Sequence, residues 1–235
     1  MAPLLSLDTW SVRSHADQRK PKAKCFLVGE GANTEFWYLH ALAVRLAKEG
    51  KPKLIEMKPV ERTGDEKNQS SPRKLAEHAR RIIDDVDGVH GFDKETDRVV
   101  IVFDADVYKG HEEEYASDLA MFSGLAQVAV TYPSFEVFLL LHVEGACEDI
   151  LIPNSEAVVN NGYVGGHRRC VEKLASDALG VNVKKNPAVG RLADFFERAA
   201  EVGKKINRDP RNAIGTLTSN VGMVLARIIE QGNGE

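Results

Sequence analysis

The chain contains no apolar run approaching the roughly 20 residues that a membrane-spanning helix needs. Its first residues, "MAPLLSLDTWSVRSHADQRKPKAK", are polar and basic and lack the continuous apolar region of a secretory signal. Both absences point to a cytoplasmic protein with no membrane partner. Cysteine is scarce: Cys25, Cys147 and Cys170 have neither close pairing nor zinc-ligand spacing. That excludes a disulfide framework and a zinc ribbon, and an odd count fits a reducing compartment. An excess of positive charge is missing too, with 31 Lys and Arg against 35 Asp and Glu for a net charge of -4. Nucleic acid cannot be coated by bulk charge, so any polyanion has to be held on a local basic face. No Gly-Lys-Ser/Thr follows "GEGAN", which excludes a P-loop. Internal repeats and low-complexity segments are absent as well.

What is present suits one large domain: 235 residues, 43% of them hydrophobic, can bury a full core. Residues 1–21 read as a loosely ordered basic arm whose Arg13, Arg19 and Lys20, with Lys22 and Lys24 just after, could touch phosphates. Residues 22–235 read as a single α/β domain, an acidic core over 22–145 and a helical part over 146–235. "KCFLV" is a strand, followed by a Gly-rich turn and a helix from Asn33 or Thr34 to Gly50, with Phe36, Leu39, Ala43 and Leu46 on its buried face. "LIEMKPV" is a second strand that Pro59 assigns to an edge. A loop, "ERTGDEKNQSS", leads to a helix started by Ser71 and Pro72, with Leu75, Ala79 and Ile82 inward. "RVVIVF" is apolar on both faces, as in a parallel sheet, and "AQVAVTY" is another buried strand. "FEVFLLLHV" reads as a fully buried helix. Strands alternating with helices predict a mostly parallel sheet flanked by helices. Three further amphipathic segments, "HRRCVEKLASDAL", "RLADFFERAAEVGKKI" and "NVGMVLARIIEQ", supply the C-terminal helices.

The chemistry is concentrated at two strand ends. "FLVGEGAN" puts Glu30 between Gly29 and Gly31, and "RVVIVFDADVY" ends on Asp104 and Asp106. In an open α/β sheet such ends form the ligand crevice, so three carboxylates from distant positions can converge. Converging carboxylates repel unless a cation intervenes, and hard oxygen ligands suit Mg²⁺ or Mn²⁺. If strand geometry persists through Asp-Ala-Asp, both aspartates share a side and Ala105 points away. The bland alternative is Asp104 capping the next helix. For the glycines, one supplying positive φ and the other a close backbone approach is the expectation.

These motifs carry a resemblance. "FLVGEGANTEFWYL" resembles the opening motif of the RloB-like family, a branch of the Toprim fold, and "VVIVFDADVY" its Asp-x-Asp motif. "TYPSFEVFLLLH" is similar to the family's Asn-Pro-x-Phe-Glu-x-Trp-Leu-Leu-Leu-His segment, and "TSNVGMVLARI" to its closing Thr-x-Val pattern. Tyr132 stands where asparagine is common and Phe138 where tryptophan is. The resemblance implies a Toprim-type sheet in which Glu30, Asp104 and Asp106 match the acidic motif of metal-dependent nucleases, primases and topoisomerases, with Mg²⁺ or Mn²⁺ as cofactor. Such proteins are associated with phage-defence loci, often beside an ATPase. A defence nuclease acting on DNA or RNA, transfer RNA included, is what it implies. The competing class is a non-catalytic or partner-activated interaction subunit, or a sensor, working with an ATPase; a homo-oligomer stays open. No strand-passage domain is present for a topoisomerase.

Glu136, in the first turn of the helix after "AVTYPS", is a candidate fourth ligand or water-positioning base, or simply a carboxylate favoured by the helix dipole. His142, off the face of Glu136, is read first as a buried, hydrogen-bonded histidine and second as a catalytic residue. Candidate phosphate contacts are Arg168, Arg169, Lys184 and Lys185, and the run Lys204, Lys205, Arg208 and Arg211. The loop "NGYVGGHRR" is the favoured substrate contact.

Overall fold

The computed structural model describes residues 22–62, 64 and 71–234; the expected arm and most of the expected loop before Ser71 lie outside the described residues. Apolar, β-branched runs form the centre. β1 (Ala23–Gly29), β2 (Ile55–Pro59), β3 (Arg98–Asp104) and β4 (Gln127–Tyr132) pair in parallel, and a short antiparallel strand from the C-terminal part, Thr218–Ser219, joins β4. The order across the five strands is β2-β1-β3-β4 and then Thr218–Ser219, so Pro59 does fall on an edge. The sheet is mostly parallel and flanked by helices, as the alternating pattern predicts.

Side-chain alternation along each strand divides the core in two. Cys25 and Leu27 of β1 and Val100 and Val102 of β3 face α1 (Thr34–Lys48) and the C-terminal helices. Phe26 and Val28, with Val99, Ile101 and Phe103, face α2 (Pro72–Asp84) and α3 (Glu112–Met121). α1 connects β1 outward to β2, whereas α2 returns the chain across β1 to β3 on the other face. Strand order therefore reverses between β1 and β3, and that switch point is where an open α/β sheet leaves a crevice.

Local signals mostly act as expected. The Ser71 side chain accepts from Lys74 N–H at 3.4 Å, and Pro72 opens α2 with Leu75, Ala79 and Ile82 buried. On α1 the buried face is Glu35, Tyr38, Leu39, Leu42 and Leu46; Phe36 and Ala43 are half-buried. The shift arises because α1 is covered from two directions, by the sheet and by the 3₁₀ segment Pro187–Phe195, which replaces the first half of an expected C-terminal helix. α4 (Glu136–Leu140) is buried along its length.

The C-terminal part is less purely helical than its periodicity suggests. After α5 (Ser155–Asn160), β5 (Tyr163–Val164) and β6 (Arg168–Arg169) form a hairpin through Gly165 and Gly166, and α6 (Cys170–Leu179) begins only after it. Thr218–Ser219, numbered β7, enters the main sheet, where Asn220 Oδ1 accepts from Val130 N–H at 2.6 Å. α7 (Phe196–Val202) then packs against α8 (Val221–Asn233) at its tightest point beside Gly222. A Cβ added there would sit 2.8 Å from Ala200 Cα, a backbone atom with little room to yield. Gly222→Ala is expected to cost about 1–3 kcal/mol, read as a fall in melting temperature of several degrees. An unchanged melting temperature would show that α7 and α8 slide apart freely.

Candidate acidic site at the strand ends

Glu30 follows β1, Asp104 ends β3, and Asp106 stands in the 3₁₀ turn Ala105–Tyr108 that begins at once. The turn means strand alternation does not continue through Asp-Ala-Asp, although Ala105 is fully buried and both aspartates reach one cavity. Asp104 has the parity of Val100 and Val102, so its carboxylate lies on the α1 side. It makes no helix-capping bond, which removes the capping alternative. Its Oδ1 accepts instead from the Thr131 hydroxyl on β4, and its own N–H donates to Glu30 Oε2 at 2.8 Å. Glu30 and Asp104 are thus tied across the β1–β3 switch point.

The glycines around Glu30 have a different explanation from the expected one, since neither Gly29 nor Gly31 has positive φ. Both make room for a neighbour that the sequence reading passed over, Glu35. A Cβ on Gly29 would meet Glu35 Cβ at 2.9 Å, and one on Gly31 would meet Glu35 Oε2 at 1.9 Å. Glu35, 5% exposed in the first turn of α1, is folded back over the turn and into the acidic cluster. Gly31→Ala should therefore leave α1 and the sheet intact while displacing this carboxylate. The expected result is near-wild-type far-ultraviolet circular dichroism with at least ~10-fold weaker binding of Mg²⁺, and unaltered binding would separate Glu35 from the site.

Glu136 opens α4 and is 1% exposed; Lys184 Nζ lies 2.5 Å from its Oε1. A cavity of about 270 Å³ is lined by Asp104, Asp106, Ser134, Glu136, Asn161, Tyr163, His167, Arg169, Glu172 and Lys184. A groove of about 860 Å³ beside α1, lined by Phe36, Trp37, His40 and Arg191 among others, holds none of the strand-end carboxylates.

Of the residues expected in the site, Asp104, Asp106, Glu136, Arg169 and Lys184 line the cavity, and Glu30 is bonded to Asp104 without lining it. Arg168 and Lys185 are exposed and do not line it. Lys24 bonds His90 O at 2.8 Å and pairs with Asp97 at 3.4 Å, and so serves the fold. Lys204, Lys205 and Arg211 pair with Glu201, Glu148 and Asp209 on the surface. His142 is the buried, bonded histidine expected: Tyr38 Oη lies 2.8 Å from Nε2, and Nδ1 is 2.9 Å from Phe138 O. Burial lowers its pKa to about 4.

Arg62 was missed in a stretch whose composition says only loop. It is 3% exposed and donates to Glu30 O. Asn161 and Thr131 were missed for a related reason: single polar residues carry no periodic signal. Glu35 alone had one, a carboxylate on the inward stripe of a helix.

The electrostatics are those of crowded carboxylates. Burial, then the charges of Glu35 and Asp106, push Glu30 up to about 7 despite the Asp104 N–H. Burial also raises Glu35, and burial followed by Glu30 and Glu35 holds Asp104 well above the usual carboxylate range. Asp106 is raised by burial against the opposing pull of Arg169 and Lys184. Burial works to lower Lys184, but Glu136, Glu35 and Asp104 outweigh it and keep the ammonium charged.

A hard divalent cation fits this donor set by its chemistry, all oxygen and short of positive charge. In the present arrangement no three His, Cys, Asp or Glu side chains among the described residues are gathered as a ligand group. The reason is visible in the bonds: Glu30 is turned to Asp104 N–H, Asp104 to Thr131, and Glu136 to Lys184.

A parallel α/β sheet with acidic residues at its switch point defines the class. Within it, the model of the RloB-like protein family matches residues 25–226, and the chain belongs to that family. No curated protein and no solved structure matches the chain. Among the described residues no helix is long and apolar enough to cross a membrane.

Proposed function

We propose that this protein is a metal-dependent nuclease of the Toprim type that cuts nucleic-acid phosphodiesters in anti-phage defence. The observation that carries the reading is the convergence of Glu30, Asp104 and Asp106 at the β1–β3 switch point, with Glu35 and Glu136 crowded against them. Glu30, Asp104 and Asp106 would hold Mg²⁺ or Mn²⁺. When bound, the cation supplies Lewis-acid polarisation of a phosphoryl oxygen and lowers the cost of deprotonating water. The chain's own groups do the rest. Lys184 and Arg169 present positive charge into the cavity, where a phosphate can be oriented. The hairpin bearing Tyr163, His167 and Arg169 forms one wall, and Arg169 lies 5.1 Å from the Tyr163 ring centre, which leaves a planar, cationic surface for the substrate.

One observation favours a second reading. The carboxylates are engaged with protein donors rather than gathered for chelation, as expected of a subunit that a partner such as an ATPase must activate, or of a non-catalytic sensor. A single experiment addresses both. Purified protein is incubated with plasmid DNA, single-stranded DNA and total RNA containing transfer RNA, in Mg²⁺ or Mn²⁺, beside an Asp104→Ala control. Cleavage lost in the control supports the nuclease and names its substrate class. No cleavage of any substrate moves the weight to the partner-dependent or non-catalytic subunit.

A further inference from the structure

Lys184 was expected to be one of several surface lysines that touch phosphate, yet its position is built. Val183, fully buried, is fastened on both sides: the Thr34 hydroxyl at the start of α1 donates to its carbonyl at 3.0 Å, and its N–H reaches Ser176 Oγ of α6 at 3.5 Å. The Lys184 N–H is in turn satisfied by Asn182 Oδ1 at 3.1 Å. The backbone is therefore pinned where the side chain reaches into the acidic cluster, and the ammonium stops 2.5 Å from Glu136 Oε1.

The cluster divides into two halves. Glu30, Asp104 and Asp106 come from the turn after β1, the end of β3 and the turn after β3, with Arg62 on the Glu30 carbonyl and, among the described residues, no lysine bonded to their carboxylates. Glu136 and Glu35 come from the first turns of α4 and α1, and Lys184 pairs directly with Glu136. Sites with two divalent ions hold them about 3.5–4 Å apart, and a second ion beside Glu30, Asp104 and Asp106 would call on Glu136 and Glu35. Here Glu136 already holds a cation, the Lys184 ammonium.

We propose that the site takes one divalent cation, at Glu30, Asp104 and Asp106, and that the Lys184 ammonium, held on Glu136, stands in the place of a second. The inference rests on the reading of the acidic set as a metal site. Glu136 is then the anchor of Lys184 instead of a metal ligand. An ammonium carries charge but offers no coordination position for water, so Lys184 serves to hold a phosphate oxygen, and activation of the nucleophile belongs to the other half of the cluster.

Mn²⁺ stoichiometry tests this without reference to cleavage. Metal-free wild type, Lys184→Met and Lys184→Arg are titrated with Mn²⁺ by calorimetry, and electron paramagnetic resonance of the loaded proteins reports whether two ions lie close enough to couple. The expected result is one ion per chain in wild type and Lys184→Arg, and two coupled ions in Lys184→Met. Two ions in wild type would overturn the inference and keep the metal site, as would a single ion in Lys184→Met. No bound Mn²⁺ in wild type would remove the metal reading itself. Should Lys184→Met fail to fold, the wild-type count still decides whether a second ion is excluded.

Discussion

Asp104→Asn is expected to raise the melting temperature of the metal-free protein and, in the same molecule, to abolish the Mg²⁺ response and the nucleic-acid cleavage proposed for it. The substitution keeps the shape and keeps an Oδ1 to accept from Thr131, so the β3–β4 contact survives. What it removes is a carboxyl group whose ionisation burial, then Glu30 and Glu35, oppose in the folded chain but not in the unfolded one. Relieving such an ionisation penalty is expected to return about 1–3 kcal/mol, equivalent to several degrees in a domain of this size. The metal response behaves oppositely. A ligand at 100 times its Kd stabilises a fold by about 2.7 kcal/mol, and that increment should vanish with the central carboxylate. Cleavage should fall by roughly 10³-fold or more. Differential scanning fluorimetry at several Mg²⁺ concentrations, paired with a cleavage assay, reads all three. A variant that melts lower than wild type and is still stabilised by Mg²⁺ would mean that Asp104 serves the fold.

The opposite signs matter because a purely structural aspartate cannot produce them. A carboxylate that stabilises a fold loses stability when neutralised. One that is held ready for a ligand gains it.

The sheet was legible because its signals are periodic and redundant. The apolar runs of β1, β3 and β4, the Ser71-Pro72 start of α2 and the edge placement by Pro59 each follow from local chemistry repeated over several residues. The C-terminal part was legible only in outline. Thr218 and Ser219 join β4 through two residues, and the Pro187–Phe195 stretch becomes 3₁₀ while keeping an amphipathic pattern, because it has to fit along α1. Two-residue strands and helix subtypes are decided by packing, which a single sequence does not display. At the site, the carboxylates at strand ends were legible by type and position. Arg62 was not, since its role depends on the direction taken by an otherwise featureless loop, and Glu35 showed only as a carboxylate on the inward stripe of α1, its role depending on the space above Gly31. Lys184 was found as a cation, but its partner Glu136, 48 residues earlier, could not be read from spacing.

The same crowding predicts an unusual pH dependence, most cleanly seen as the difference between Glu30→Gln and wild type without metal. Glu30 is raised from an ordinary 4.5 to about 7, chiefly by burial. Below about pH 4.5 it is protonated in both folded and unfolded chains and carries no penalty. Between 4.5 and about 7 the unfolded chain gives up the proton while the folded one retains it, so wild-type stability falls as pH rises, and above 7 the loss is complete. The full change is on the order of 3 kcal/mol. Glu35, Asp104 and Asp106, also raised, act in the same direction. His142 acts against them: lowered from 6.5 to about 4, it adds stability as pH climbs through that interval, so the wild-type curve alone is a mixture. Subtracting wild type from Glu30→Gln cancels His142 and leaves a difference that should widen from pH 4.5 to 7 and then level off. Glutamine retains an oxygen for the Asp104 N–H, which keeps the comparison one of charge. Denaturant melts at half-unit pH steps would measure it, and a difference that is flat across the interval would refute the burial of Glu30 as an ionisable group. With Mg²⁺ present the slope should reverse, because the cation binds deprotonated carboxylates and its stabilisation grows as protons leave. The carboxylates whose crowding is costly at neutral pH are the ones proposed to hold the cation.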